Sequence, residues 1–248
     1  MEIYALLPIG IITGIISGYF GMGGGTILVP ILLLFGFDIK SAVSIAVLQM
    51  FMGSIYGTYL NYKNTNVNFR DLGFIVLGGF VGGQGSVYVV AAFSELALQI
   101  MLLSLLFIGM LRIVKSVEKS TIRVDISPIK LFVIGALIGL FAISVGVGGA
   151  LLLIPILVGY FSYSTQKAAV AGLFFVLFSS FSGVIGLGIS GGLLLEEGLI
   201  TGIGALIGVN IGVRAIHKSS ANVHKRLLMG LYLLVTSIVL YKTLIQVM

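Results

Sequence analysis

Hydrophobic residues run along this chain in long blocks, and the polar positions between them are few. Residues 3–36 are apolar apart from a glycine run at Gly21–Gly25, and Asp38 and Lys40 mark the turn that follows. Helices are predicted over 41–61, 71–93 and 96–114, separated by the polar stretch 61–70 and by the turn Ser94-Glu95. After the polar segment Arg112–Lys130 the plan begins again. Residues 129–160 form an apolar block broken at Gly146–Gly149, and helices are predicted over 167–188, 198–213 and 227–246. Pro128 suits a first helical turn, where its missing N–H costs nothing. Glu196-Glu197 precede the helix at 198, and the basic stretch 214–226 separates the last two helices. A helix that crosses a bilayer needs about 20 apolar residues. The pattern therefore predicts an all-α polytopic membrane protein.

Composition agrees with that pattern and narrows it. Of 248 residues, 58% are hydrophobic and 9% charged, too little charge to cover a soluble domain. The net charge of +6 is then a property of loops and not a footprint for nucleic acid. The N-terminus has neither a basic n-region nor a cleavage site, so no removable signal is expected. There is no cysteine, and no nucleophile–base pair or metal-ligand cluster appears. No enzyme activity, cofactor or metal is therefore expected. His217 and His224 fall in the basic stretch and read as solvated loop residues.

The two broken blocks are copies of one another. Gly21-Met22-Gly23-Gly24-Gly25-Thr26 through Pro30 recurs as Gly146-Val147-Gly148-Gly149-Ala150-Leu151 through Pro155. Gly10 and Gly14 align with Gly135 and Gly139. With one inserted residue, Ser54, Gly57, Asp71, Gly78, Gly82 and Gln84 meet Ser180, Gly183, Glu197, Gly204, Gly208 and Asn210. The expected organisation is two repeats, 1–125 and 126–248. Each is a glycine-broken helical hairpin (3–36 or 129–160) plus three helices.

Charge sets the expected topology. If each broken block crossed once, six cations would lie inside and eight outside. If each enters and returns on one side, twelve lie inside and two, Lys40 and Lys242, outside. The positive-inside rule selects the second arrangement. It places 61–70, 112–130 and 214–226 in the cytoplasm of a multi-pass protein of the plasma (inner) membrane. Each repeat then has an odd number of further crossings, so the second is inverted relative to the first. The arms after the breaks span ~16–18 Å against a core of ~30 Å. Re-entrant hairpins fit that length, and two short tilted crossings give the same parity.

Candidate chemistry follows from the breaks. A helix that starts at membrane depth offers unpaired N–H groups and the positive end of its dipole, an anion site that needs no cationic side chain. The candidate binding residues are Gly23, Gly24, Gly25 and Thr26 in the first copy and Gly148, Gly149 and Ala150 in the second. Gln49, Gln84 and Asn210 join them as amides inside apolar helices. Thr26 would look the same as a helix cap, and Gln84 and Asn210 fit interhelical hydrogen bonding equally well. Ser144, Ser179, Ser180 and Ser182 are weaker candidates, since serine bonds its own helix. Gly10-x-x-x-Gly14-x-x-x-Gly18 and Gly204-x-x-x-Gly208-x-x-x-Gly212 read as packing faces. No Asp, Glu, Lys, Arg or His lies in mid-span, which disfavours a proton pump or cation antiporter. Coupling to a proton or to sodium stays open, through an edge carboxylate such as Asp71 or Glu197 or through a proton carried by the substrate; Asp71 and Glu197 also read as ordinary helix-start carboxylates.

Gly14, the run Gly18–Gly25, Pro30 and their echo at Gly146–Pro155 resemble the sulfite exporter TauE/SafE family of membrane permeases, over nearly the whole chain. The resemblance implies a small anionic substrate, with sulfite, organosulfonates and related organic anions as typical cargo. Ala150 departs from the first copy's Gly25. The expected function is a transporter of such an anion, acting by alternating access in the lipid bilayer. An anion channel or a non-transporting membrane scaffold is the alternative, and the sequence leaves the oligomeric state open.

Overall fold

The computed structural model describes residues 3–62, 72–115, 127–161 and 163–247. Among these residues there are ten α-helices and no strand. The first half of the chain supplies α1 (Leu6–Phe20), α2 (Gly25–Leu34), α3 (Ile39–Tyr62), α4 (Gly73–Ala92) and α5 (Glu95–Lys115). The second supplies α6 (Pro128–Ser144), α7 (Ala150–Phe161), α8 (Thr165–Ile189), α9 (Leu195–Lys218) and α10 (Ala221–Val247). The segments 63–71 and 116–126, with Asp71, Lys63, Arg70, Lys119 and Arg123, lie outside the described residues. Five helices, α3, α4, α8, α9 and α10, are long and apolar enough to cross a membrane. Large apolar side chains stay exposed along α4, α5, α9 and α10, among them Phe74, Phe107, Ile203 and Leu240. Exposed apolar surface of that extent belongs against lipid.

Local chemistry sets several helix ends. Pro128 occupies the first turn of α6, where its fixed φ is already helical. Ser164 caps α8 through its hydroxyl, which accepts from the Lys167 amide. Asp38 does the same for α3, where its carboxylate accepts the Ser41 amide at 2.9 Å. Partial burial pushes the Asp38 carboxyl up, but hydrogen bonds from the Ser41 side chain and amide and from nearby backbone outweigh it, leaving it below the usual range. A carboxyl depressed by folding stabilises the protein above its unfolded pKa and loses that contribution as pH falls through the folded one. Asp38→Ala is therefore expected to lower stability by about 1 kcal/mol at neutral pH. In acid below the carboxylate range, thermal melts of the two proteins should converge.

Small residues bring the helices together. Gly10, Gly14 and Gly18 of α1 lie directly on the backbone of α9 at Thr201, Ala205 and Val209, while Gly204, Gly208 and Gly212 lie on α1 at Leu7, Ile11 and Ile15. Positions advance together on both helices, so α1 and α9 run parallel. In the same way Gly78 and Gly82 of α4 meet Phe132 and Ala136 of α6, and Gly135 and Gly139 meet Ile75 and Gly79, again in parallel. Backbones in direct contact gain dispersion and lose no side-chain entropy, which holds helices together when lipid removes the hydrophobic drive. The two glycine stripes are packing faces, as their spacing suggests. Between these pairs, α3 follows α9 (Leu48 at Gly198, Met52 at Gly202) and α8 follows α4 (Phe175 at Gly79, Ser179 at Gly83). α3 and α8 cross in opposite directions, with Gly57 against Leu173 and Val47 against Gly183. Exchanging α1 with α6, α2 with α7, α3 with α8, α4 with α9 and α5 with α10 reproduces the principal helix pairings.

The arms of each break pack mainly on other helices: α1 along α9, α2 along α3 and α10, and α7 along α8 and α5. Nothing in an apolar arm's composition says which neighbour it takes. Two details differ from the sequence reading. The basic stretch 214–226 is mostly helical, since α9 ends at Lys218 and α10 starts at Ala221. His224 is fully buried, not solvated, with its ring 5.2 Å from that of Tyr19 and 5.4 Å from that of Phe20. It falls on the buried stripe of α10 with Leu228, Tyr232, Val235 and Val239, whose spacing follows the helical period.

Candidate functional site at the paired helix breaks

The two glycine breaks meet in the interior. Every residue of 21–30 and of 142–150 is buried, the condition under which irregular backbone is tolerated at membrane depth. Gly21 and Gly146 each turn the chain with a positive φ, 71° and 70°, and Gly23 and Gly148 repeat the turn at 73° and 75°. An L side chain at any of these would be strained. The Thr26 hydroxyl donates to the Val147 carbonyl at 3.3 Å, and Gly25 lies on the Gly146 carbonyl so closely that a Cβ there would overlap it. Met50 of α3 and Val176 of α8 line both breaks, beside Gly23 and Gly148.

Two short helices begin at this junction. In α2 the Gly24 carbonyl accepts from Ile27 and Leu28, and in α7 the Gly149 carbonyl accepts from Leu152 and Leu153. The amides of Gly25 and Thr26, and of Ala150 and Leu151, take no protein acceptor among the described residues. Each pair sits at the positive end of a helix dipole. Hydrogen bonds from such amides to a charged ligand are worth ~1.5–3 kcal/mol each. Pro30 and Pro155 lie inside these helices and cannot donate to Thr26 and Leu151 one turn back. In α7 the freed Leu151 carbonyl is met by the buried Tyr232 hydroxyl of α10, which donates at 2.9 Å.

The polar candidates separate into two groups. Gln49 lies in the junction, 1% exposed, with its amide packed on Gly24 where a Cβ would fall. Its Nε2 donates to the Thr13 hydroxyl of α1 at 3.3 Å, and its Oε1 is buried without a partner. Gln84 and Asn210 are not brought to the breaks by any bond they make. The Gln84 Oε1 accepts from Ser182 of α8 at 3.1 Å, and the Asn210 Nδ2 donates to the Tyr56 hydroxyl of α3 at 2.6 Å. In the repeat register Tyr56 and Ser182 are equivalent, so one interhelical bond has been made twice with different residues. Ser179 does reach the second break, donating to the Gly148 carbonyl at 3.3 Å as well as to its own helix.

Thr13, Met50, Phe175, Val176 and Tyr232 were not singled out by sequence reasoning, and the repeat register would have located one of them, Phe175, from Gln49. The equivalent of Gln49 is Phe175, which packs on Gly149 as Gln49 packs on Gly24. The equivalent of Thr13 is Ile138, which also touches Gly149. The first break is therefore lined at these positions by polar residues (Thr13, Gln49, Thr26), and the second by apolar ones (Ile138, Phe175, Leu151), with Ser179 as its polar neighbour.

A cavity of about 340 Å³ opens where α3 starts and α4 and α8 end, lined by Lys40, Ser41, Val87, Val90, Leu187 and Ser190. Val43, three residues beyond Lys40, touches Gly146. The cavity thus lies on the side of the second break and carries a cation at its rim.

The chain matches the sulfite exporter TauE/SafE family over residues 6–239. It is 30% identical over 201 residues to the probable membrane transporter protein MJ0441 of Methanocaldococcus jannaschii, covering 74% of this chain and 73% of that protein. It is 33% identical over 79 residues to the probable membrane transporter protein YunE of Bacillus subtilis, covering 32% of this chain and 29% of that protein. No solved structure matches it.

Proposed function

Since the chain belongs to the sulfite exporter TauE/SafE family, a family of multi-pass membrane transporters, we propose that its cargo is a small anion bound where the two helix breaks meet. Sulfite, an organosulfonate or a related organic anion fits that reading. The observation that carries it is the convergence of α2 and α7: Thr26 bonds to Val147, Gly25 rests on Gly146, and four amides at the two helix starts have no protein acceptor among the described residues. Gly23, Gly24, Gly148, Gly149 and Ala150 form the backbone wall of the site, and Gln49 and Thr26 give it side-chain polarity. Gln84 and Asn210 leave the binding set and serve as interhelical ties.

The two chain halves act as inverted repeats in this reading. Support comes from the shared direction of α1, α3 and α9, opposite to that of α4, α6 and α8. Exchange of the two helix groups around a fixed central site would expose that site alternately to the two sides. The protein lies in the plasma membrane with the short α9–α10 turn on the cytoplasmic side, and the Lys40 cavity is the opposite mouth. Reconstituted into liposomes, the purified protein should give saturable flux of radiolabelled sulfite or a small sulfonate that unlabelled substrate competes away. Flux that rises linearly with concentration would indicate a channel. Absence of flux for every small oxyanion tried would leave a scaffold.

A further inference from the structure

Gln49 is the one amide side chain in the junction among the described residues, and its hydrogen bonding is half complete. The Thr13 hydroxyl has a single proton, which it gives to the carbonyls of its own helix, Ile9 at 2.9 Å and Gly10 at 3.2 Å. Toward Gln49 it can only accept. That requirement fixes the amide: Nε2 faces Thr13, at 3.3 Å, and Oε1 faces away from it. Oε1 is then a buried acceptor without a donor, on a residue 1% exposed, packed against Gly24, which caps the start of α2. An acceptor left unpaired in the interior is a cost that a bound donor removes. A ligand seated here meets two demands at once. The free amides of Gly25 and Thr26 call for negative oxygens, and Gln49 Oε1 calls for a hydrogen.

Among the described residues, no acid or base of the protein stands at this point. α1, α2 and α7 carry no Asp, Glu, His, Lys or Arg. The charges of the other helices around Gln49 sit near their ends: Lys40 on α3, Lys167 on α8, and Glu196, Glu197, Arg214, His217 and Lys218 on α9. The hydrogen has to arrive with the ligand.

We propose that the seat beside Gly24 selects a singly protonated oxyanion, whose acid O–H is accepted by Gln49 Oε1 while its charged oxygens lie on the amides of Gly25 and Thr26. The inference rests on the anion site proposed above and adds to it the protonation state of the cargo. The second break offers no counterpart, because Phe175 and Ile138 stand where Gln49 and Thr13 would be. A carrier built this way moves one proton with each anion and needs no titrating side chain to do so.

Methylphosphonate and methanesulfonate test the idea, since in mildly acidic buffer both are monoanions of one shape and only the phosphonate has an O–H. Titrated calorimetrically into the full-length wild-type protein, methylphosphonate should bind about tenfold or more tightly than methanesulfonate, the factor set by leaving one buried acceptor unpaired. The preference should fade in alkaline buffer as the phosphonate loses its proton. In Gln49→Met, which keeps the side chain's bulk and removes the acceptor, the two probes should bind alike. Equal binding of both probes to the wild type overturns this inference and leaves the anion site standing. A preference that survives Gln49→Met overturns the role of Gln49. Binding of neither probe, together with absence of oxyanion flux, removes the anion site and this inference with it.

Discussion

Replacing Gly24 and Gly149 together by valine is expected to abolish saturable anion flux in proteoliposomes. The two positions are equivalent in the repeats but fail for different reasons. At Gly24 the backbone is ordinary right-handed helix, so valine is not strained there. Its Cβ would instead occupy the space of the Gln49 amide, displacing the site's only amide side chain among the described residues. At Gly149 φ is 80°, a conformation that costs an L residue about 1–2 kcal/mol, and the new side chain would press on Phe175 and Ile138. Each single change should lower flux, and the pair should eliminate it. Size-exclusion profiles show whether the variants are folded. A monodisperse double variant with wild-type flux would remove the breaks from the transport path.

The largest effect on stability is expected at the glycine stripes. A leucine at Gly208 would drive its Cβ into the carbonyl of Ile11, and one at Gly82 into that of Ala136. Backbone cannot step aside as a flexible side chain can. Overpacking of a tight core costs about 1–3 kcal/mol, and these sites should lie at the top of that range or above it. Gly208→Leu and Gly82→Leu should each lower the melting temperature sharply or prevent recovery of monodisperse protein. Gly230→Ala on α10 is the control. No atom lies within 4 Å of a Cβ built there, and exchanging glycine for alanine in a helix interior should stabilise it by up to about 1 kcal/mol.

The parts of this fold that were legible in the sequence are those written in glycine. A run such as Gly21–Gly25 cannot sit comfortably inside a helix, and its recurrence at Gly146 marks a second break. The spacing of Gly204, Gly208 and Gly212 marks a packing face before its partner is known. The membrane class was legible from the apolar blocks alone. What was not legible depends on which helix lies beside which. Gln84 and Asn210 are polar residues in apolar helices whether they face a ligand or a neighbour, and the bonds they make to Ser182 and Tyr56 are visible only once the helices are packed. Gln49 carries no local mark that sets it apart from them, because the partner that matters, Gly24, comes 25 residues earlier in the chain. His224 was misread because Lys225 and Arg226 beside it suggested solvent, although its spacing from Leu228 and Tyr232 already placed it on the buried stripe.

The parallel union of α1 with α9 has a consequence for how the protein is made. Gly10 leaves the ribosome about 190 residues before Thr201, the residue it will rest on. At about 5–20 residues per second, the first helix waits roughly 10–40 seconds for its partner. During that interval a 15-residue segment with a bare glycine face has to be sheltered by lipid or by the insertion machinery. Assembly is therefore completed late, and a nascent chain that stops before α9 should be a target for quality control rather than a working half-transporter.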